Sequence, residues 1–317
     1  VYLGVDLGGT NIQVGALDAD DKVLAREKTK TKADKGEDEV VERIAGAVKD
    51  VLKDIDMEAG EVGGLGIGAP GAIDFDRGIV LEAVNLRWTD YPLKQKLESE
   101  TGITVTLDND VNVGTWGEFK AGAAKGFSDV LGVFVGTGIG GGLVLGGKLY
   151  HGAMMTAGEI GHTVLRTDAP LGRRTLEQNA SRTACVNLIV QMIEANHESE
   201  IHDLTEGDLS KVKSKILSKA VDKGDRLAVE VLRQSANDVG VASANAVTLL
   251  SLPAVVLGGG VVEALGSTYV DWARQSFMQH VFPPTLRECK VLESKLGDDA
   301  GLIGAALLAR EMARNNP

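Results

Sequence analysis

Thr104–Glu118 reads TVTLDNDVNVGTWGE. Its first four residues, Thr104–Leu107, alternate β-branched and apolar side chains and read as a buried strand. Asp108, Asn109 and Asp110 then interrupt that strand, being poor strand formers and good helix caps. From Val111 to Lys120 the composition suits a helix, apart from Gly114 and Gly117. A carboxylate at such a strand-to-helix corner lies at the rim of a sheet, facing a crevice, where an open α/β architecture keeps a general base. An isolated DND is more often a plain helix cap, with Asp108 or Asp110 as the capping residue, so its meaning depends on the surrounding chain.

At 317 residues the chain is long enough for about two domains. Val, Leu, Ile and Ala carry the 44% hydrophobic content, with only 4% aromatics. A net charge of −12, without any cluster of Lys and Arg interleaved with aromatics, speaks against nucleic-acid binding. Two cysteines, Cys185 and Cys289, are too few for a disulfide framework or a four-cysteine metal site. No uninterrupted apolar run reaches membrane-spanning length. The N-terminus enters a strand directly, without a signal peptide's basic and apolar regions, so a cytoplasmic protein is expected.

Two glycine-rich turns bracket this centre. Val1–Asp6 is an apolar strand, LGGTN at Leu7–Asn11 turns the chain into Ile12–Leu17, and Val23–Thr31 completes a meander. Backbone N–H groups of Gly8 and Gly9 can form an anion nest, with Thr10 and Asn11 adding donors. Asp6 can hold a hydrated Mg²⁺ beside a phosphate. A plain glycine hairpin is the alternative, and no helix follows these glycines, so neither the P-loop nor the dinucleotide fingerprint applies. Asp129–Leu145 repeats the plan, with Gly136-Thr137-Gly138 between two apolar strands. One such turn in each half suggests a duplicated fold clamping a polyphosphate between two lobes. Elsewhere the pattern predicts helices over Glu37–Ile55, Pro92–Glu100, Thr175 to about Ala195, Leu204–Gly224, Asp225–Leu250, Val262–Val281 and Ala300–Arg314. Further strands are expected at Leu65–Ala69, Ile79–Val84, Ala254–Leu257 and Arg287–Leu292. Three glycines at Gly258–Gly260, between strand and helix, allow close approach to a nucleoside.

Taken in order, DLGGTN (Asp6–Asn11), GAPG (Gly68–Gly71), NDVN (Asn109–Asn112), GTGIGGG (Gly136–Gly142), HGAMMTAGEIGH (His151–His162), LEQNASR (Leu176–Arg182) and GGG (Gly258–Gly260) resemble the ROK family of sugar kinases. That family belongs to the actin/hexokinase/Hsp70 superfamily. The resemblance implies an α/β, two-lobed actin-like ATPase (ribonuclease H-like) fold with a duplicated sheet-and-helix core. It also implies a small lobe of residues 1–118, to which a C-terminal helix at 301–317 returns, and a large lobe of residues 119–300. By resemblance Asp110 is the general base and Asn109 holds neighbouring hydroxyls. Glu159, His162, Glu177, Gly71 and Asn85 then line a sugar pocket. Asp6, Gly8, Gly9, Thr10, Asn11, Gly136, Thr137 and Gly138 face ATP phosphates and Mg²⁺, and Gly258, Gly259 and Gly260 face the nucleoside. Carboxylates and amides suit a hexose, whose unpaired hydroxyls would be costly to bury.

One segment departs from the pattern. The family places a cysteine-rich, zinc-binding CxCGxxGC between the positions of His162 and Glu177, whereas here the interval reads TVLRTDAPLGRRTL. No structural zinc is therefore expected, and Asp168, Arg173 and Arg174 or backbone hydrogen bonds are the candidates for holding the shortened loop. The resemblance implies ATP-dependent phosphorylation of a hexose, glucose first, at the 6-hydroxyl. Mannose, fructose or an N-acetylated amino sugar as substrate, or polyphosphate as donor, are the alternatives. A sugar-sensing repressor of the same family would carry a helix-turn-helix before the first phosphate strand and tends to lose the catalytic Asp. The expected partners are the hexose and a second copy in a homodimer, with no nucleic acid and no membrane.

Overall fold

The computed structural model describes residues 1–315. In chain order the strands are β1 (Tyr2–Leu7), β2 (Asn11–Leu17), β3 (Val23–Lys30), β4 (Leu65–Ala69), β5 (Ala72–Asp74), β6 (Ile79–Ala83), β7 (Trp88–Tyr91), β8 (Val105–Asn109), β9 (Val130–Val135), β10 (Ile139–Leu145), β11 (Lys148–Leu149), β12 (Ala254–Gly258) and β13 (Lys290–Glu293). The α-helices are α1 (Glu37–Asp54), α2 (Leu93–Thr101), α3 (Asp110–Lys120), α4 (Leu176–Ala180), α5 (Arg182–Glu194), α6 (Glu200–Leu204), α7 (Ser214–Asp222), α8 (Arg226–Leu250), α9 (Gly260–Leu265), α10 (Ser267–His280) and α11 (Ala300–Asn315). The chain divides into two compact units. Unit 1 comprises Val1–Gly126, Gly142–Gly158 and residues from Asp298 onward, and unit 2 comprises Phe127–Gly141 and Glu159–Gly297.

Unit 1 is built on a five-stranded sheet in the order β3-β2-β1-β4-β8. The β1–β3 meander is antiparallel, while β1, β4 and β8 run parallel. Parallel strands are covered on both faces, which is why LGIGA of β4 is buried at every position. At the edge, β3 alternates half-buried and exposed residues and carries its charges outward. Helix α1 lays Val40, Val41, Ile44, Val48, Val51 and Leu52 into the core. Helix α11 returns to the same sheet and touches it backbone to backbone. A Cβ added at Gly66 would stand 1.8 Å from Ala305 O, one at Gly4 2.0 Å from Leu302 O, and one at Gly304 1.7 Å from Val113 O of α3. A separate antiparallel sheet, β5-β6-β7, stands beside this layer, and its last strand, Trp88–Tyr91, has no counterpart in the sequence expectation.

The second five-stranded sheet has the order β11-β10-β9-β12-β13, and the boundary between the units falls inside β10. Its parallel part, β9, β12 and β13, belongs to unit 2 and is covered by helices, with α10 packed along α8. Both sheets thus place a consecutive three-strand run beside two parallel strands, the duplication anticipated from the paired glycine turns.

Several expected elements differ in their bounds. Residues 204–224 are the end of α6, a short 3₁₀ turn and α7 rather than one helix, because Glu206 and Gly207 take left-handed backbone (φ 55° and 79°). The helix expected over Val262–Val281 breaks at Gly266 (φ 56°), and the one over residues 175–195 breaks where Ser181 caps α5. Strand β13 starts at Lys290, after a 3₁₀ turn over Pro284–Glu288. Strand β8 runs through Asp108 and Asn109 instead of stopping at Leu107, pairing them with Gly68 and Ala69. Among the described residues, no helix is long and apolar enough to cross a membrane.

Candidate active site

In unit 1 the site grows from the C-terminal ends of the parallel strands. Register places Asp6 opposite Gly68 and Gly68 opposite Asp108, so β1, β4 and β8 end side by side. The cap of α3 is neither aspartate but Asn109: its Oδ1 accepts from Val111 N (2.9 Å) and Asn112 N (3.2 Å), and its Nδ2 donates to Gly71 O (3.0 Å). One Nδ2 hydrogen is left over for a hydroxyl. That capping bond draws Gly71 to the corner. Gly71 must be glycine, because its φ is 96° and a Cβ would meet Glu82 O at 2.0 Å.

Asp110 opens α3 beside this cap, half-buried, its Oδ1 accepting from Val111 N at 2.9 Å. Burial first, then the charges of Asp110 and Asp298, push the Asp6 carboxyl up to about 7, against a smaller pull from Lys28. A hydrated Mg²⁺ is bound through one or two carboxylates and its own waters, and Asp6 with Asp110 near it would suit such an ion. The first glycine turn is closed by Gly8 N→Asn11 O (3.0 Å) and held by Thr31 Oγ1→Gly8 O (2.6 Å). Asn85 sits against it, its Cβ 3.4 Å from where a Gly9 Cβ would be. The residues expected to serve the base, Mg²⁺ and first phosphate turn are thus together in unit 1.

Asp108 is not a cap. It is 3% exposed, its Oδ1 accepting from Asn112 Nδ2 (2.9 Å) and Asn109 N (2.7 Å) and its Oδ2 bonding His151 Nε2 at 2.7 Å. His151 also stacks on Phe75, with centroids 4.0 Å apart. This pair braces the Asn109–Asp110 corner from behind, and the sequence reading missed it: His151 stood in a quoted motif but had no role.

Unit 2 holds the second set. Glu159 and His162 flank a single 3₁₀ turn, both exposed, with Oε2 and Nε2 3.9 Å apart. Gly161 packs on Ile139, since a Cβ there would stand 2.0 Å from Ile139 O. Glu177 Oε2 accepts from the same residue's N–H at 2.7 Å and lies over Gly138. Ile139 therefore joins the Glu159–His162 turn, Glu177 and the second glycine turn. That turn is closed by Gly136 N→Gly138 O (2.8 Å), and Arg182 Nη2 donates to Thr137 Oγ1 at 2.6 Å. Gly259, with φ 85°, leads into α9 against Val135, where any Cβ would stand 2.8 Å from backbone.

The Thr163–Leu176 loop is tied by backbone bonds, Leu165 N→Arg174 O (2.9 Å) and Leu176 N→Thr163 O (3.0 Å). Arg174 Nε also donates to Ala169 O (2.7 Å). Its ion pair is Arg166 Nη2 to both oxygens of buried Asp238 (2.8 Å each), not a pair drawn from Asp168, Arg173 and Arg174. A structural zinc needs about four N or S ligands. Burial pushes the Cys185 and Cys289 thiols up to about 11, which disfavours the thiolate form that ligates a metal. Among the described residues no group of three or more His, Cys, Asp or Glu stands together as a ligand set. The residues present do not fit the zinc of the resemblance.

A ROK family model matches residues 2–312. Over 315 residues, 98% of this chain and 95% of the relative, the sequence is 33% identical to a glucokinase of Halalkalibacterium halodurans. It is also 26% identical over 306 residues to a xylose repressor of Caldicellulosiruptor bescii, covering 95% of this chain and 76% of that protein. Among solved structures, a ROK family glucokinase from Streptomyces griseus in complex with glucose and AMPPNP superposes with a TM-score of 0.87. The two are 35% identical, over 98% of this chain and 99% of that one. With the duplicated sheets and both glycine turns in place, the chain belongs to the ROK family.

Proposed function

We propose that this protein transfers the γ-phosphoryl group of ATP to the 6-hydroxyl of a hexose, glucose first. The observation that carries this reading is the corner at β8 and α3, where Asp110 stands half-buried next to Asp6. Asp110 accepts the hydroxyl proton as oxygen attacks phosphorus, and the spare hydrogen of Asn109 orients the sugar. Glu159, His162 and Glu177 supply further acceptors and donors to sugar hydroxyls. Asp6 and the turn at Gly8–Asn11 serve the phosphates, as do Gly136, Thr137 and Gly138, and Gly258–Gly260 serve the nucleoside. Mg²⁺, held through water by Asp6, would neutralise charge on the phosphate oxygens when bound. The glucokinase relatives support glucose and ATP. A regulator without activity, as the repressor relative suggests, would have no need of Asp110 in this setting. A cytoplasmic homodimer without structural zinc is part of the same reading.

Coupled ADP release, measured across a panel of hexoses with ATP or polyphosphate, tests it. Turnover that requires both a hexose and Mg²⁺ is expected, with glucose giving the highest kcat/KM. No sugar-dependent product with any donor would overturn the reading.

A further inference from the structure

Arg182 follows the Ser181 cap and begins α5, with its backbone N–H donating to Gly136 O at 2.9 Å. Its guanidinium reaches back over the second glycine turn, where Nη2 donates to Thr137 Oγ1 at 2.6 Å. Thr183 Oγ1 donates to Thr137 O at 2.7 Å, so the turn is gripped from two successive residues of α5. The other end of the guanidinium faces Gly258–Gly260, with Nη1 4.0 Å from where a Gly260 Cβ would stand. Ser214 Oγ comes within 3.6 Å of that same point, and it is buried without a hydrogen-bond partner.

Among the described residues, no carboxylate forms an ion pair with Arg182. Only one of its five side-chain N–H donors is engaged by a protein partner among the described residues. A fixed, half-buried cation with spare donors, set between two glycine-rich turns, has the fork geometry that matches phosphate oxygens. Thr137 is held by Arg182 before any ligand arrives, so the cation is preorganised.

We infer that Arg182 binds the phosphate chain of the phosphoryl donor. This rests on the kinase reading above and adds to it a cation that the glycine motifs do not contain. The recognised chemistry is a chain of linked phosphates, supplied either by a nucleoside triphosphate or by inorganic polyphosphate.

The test compares wild type with Arg182→Ala, Arg182→Gln and Arg182→Lys. Donor KM for ATP and for polyphosphate, sugar KM, and calorimetric binding of inorganic tripolyphosphate without sugar are the readouts. A lost charge-assisted contact predicts that Arg182→Ala raises donor KM roughly 10- to 100-fold, with Arg182→Lys in between and sugar KM moving less than about 3-fold. An equal rise for ATP and polyphosphate would place the contact on the shared phosphate chain, and a rise for one alone would assign the site to that donor. If Arg182→Ala does not fold, Arg182→Gln and Arg182→Lys carry the comparison, each checked by circular dichroism. Donor KM within about 2-fold of wild type, or sugar and donor KM rising together, would overturn the inference and leave Arg182 as a brace for the turn. Tripolyphosphate binding that is abolished in the variants, in a protein that phosphorylates no hexose, would keep the anion site and refute the kinase reading instead.

Discussion

Asp6→Asn should make the metal-free protein more stable, and more so the higher the pH. The Asp6 carboxyl titrates near 7 in the folded chain against 3.8 as the ordinary value. Between those values the folded state binds more protons than the unfolded state, so stability falls as pH rises through the window and the full cost remains above it. Three pKa units at ~1.4 kcal/mol each set a ceiling of about 4 kcal/mol at pH 8, against about 2 kcal/mol at pH 5. Asparagine keeps the shape and removes the charge, though its amide needs partners of its own, so a net gain of about 1–3 kcal/mol at pH 8 is the working figure. Urea unfolding in EDTA, followed by tryptophan fluorescence, suits the test, because Trp88 and Trp116 are both buried in unit 1 with Asp6. A gain that is equal at pH 5 and pH 8, or a variant less stable than wild type at pH 8, would refute the electrostatic reasoning. The same variant should lose Mg²⁺-dependent turnover.

Three further outcomes are expected. Asp110→Asn should lower kcat by roughly 10²–10⁴ with a much smaller effect on sugar affinity, and a variant keeping more than about a tenth of wild-type kcat would end its assignment as base. His151→Ala removes the partner of the buried Asp108 Oδ2 and should cost about 1.5–3 kcal/mol in unfolding experiments while lowering kcat; His151→Gln, which keeps a donor, should recover most of both. Elemental analysis of protein purified without a His-tag or chelator should find far less than one zinc per chain, and chelation should leave activity intact once Mg²⁺ is restored; stoichiometric zinc whose removal abolishes sugar binding would be the contrary result.

Much of the scaffold could be read from residue order because parallel strands must be apolar on both faces. The β1, β4, β9 and β12 strands stand out as short Val-, Leu- and Ile-containing runs for that reason. The strand-to-helix corner at Asp108–Asp110 was legible too, since these residues suit a helix start better than a strand, but that Asn109 is the one that caps α3 was not. Strand β7 escaped notice because it spans only four residues with Thr89 and Asp90 exposed. The helix breaks at Glu206–Gly207 and at Gly266 depend on one or two left-handed residues, which a periodic pattern overruns. What could not be read at all is pairing at a distance. Asp108 and His151 are 43 residues apart, Thr137 and Arg182 are 45 apart, and nothing local to either partner marks the other.

The backbone contact between α11 and the sheet of unit 1 bears on how the chain is made. Every residue of unit 2 precedes Asp298, so the ribosome has released that unit's whole sequence before α11 emerges. Unit 1 is the reverse: most of it is synthesised first, yet the groove over Gly4, Gly66 and Gly117 stays uncovered until the final helix arrives. Domains are usually completed in the order of synthesis, N-terminal first. Here the unit that is begun first is finished last. Until then the sheet backbone at Gly4 and Gly66, and α3 at Gly117, lack the helix that packs directly on them.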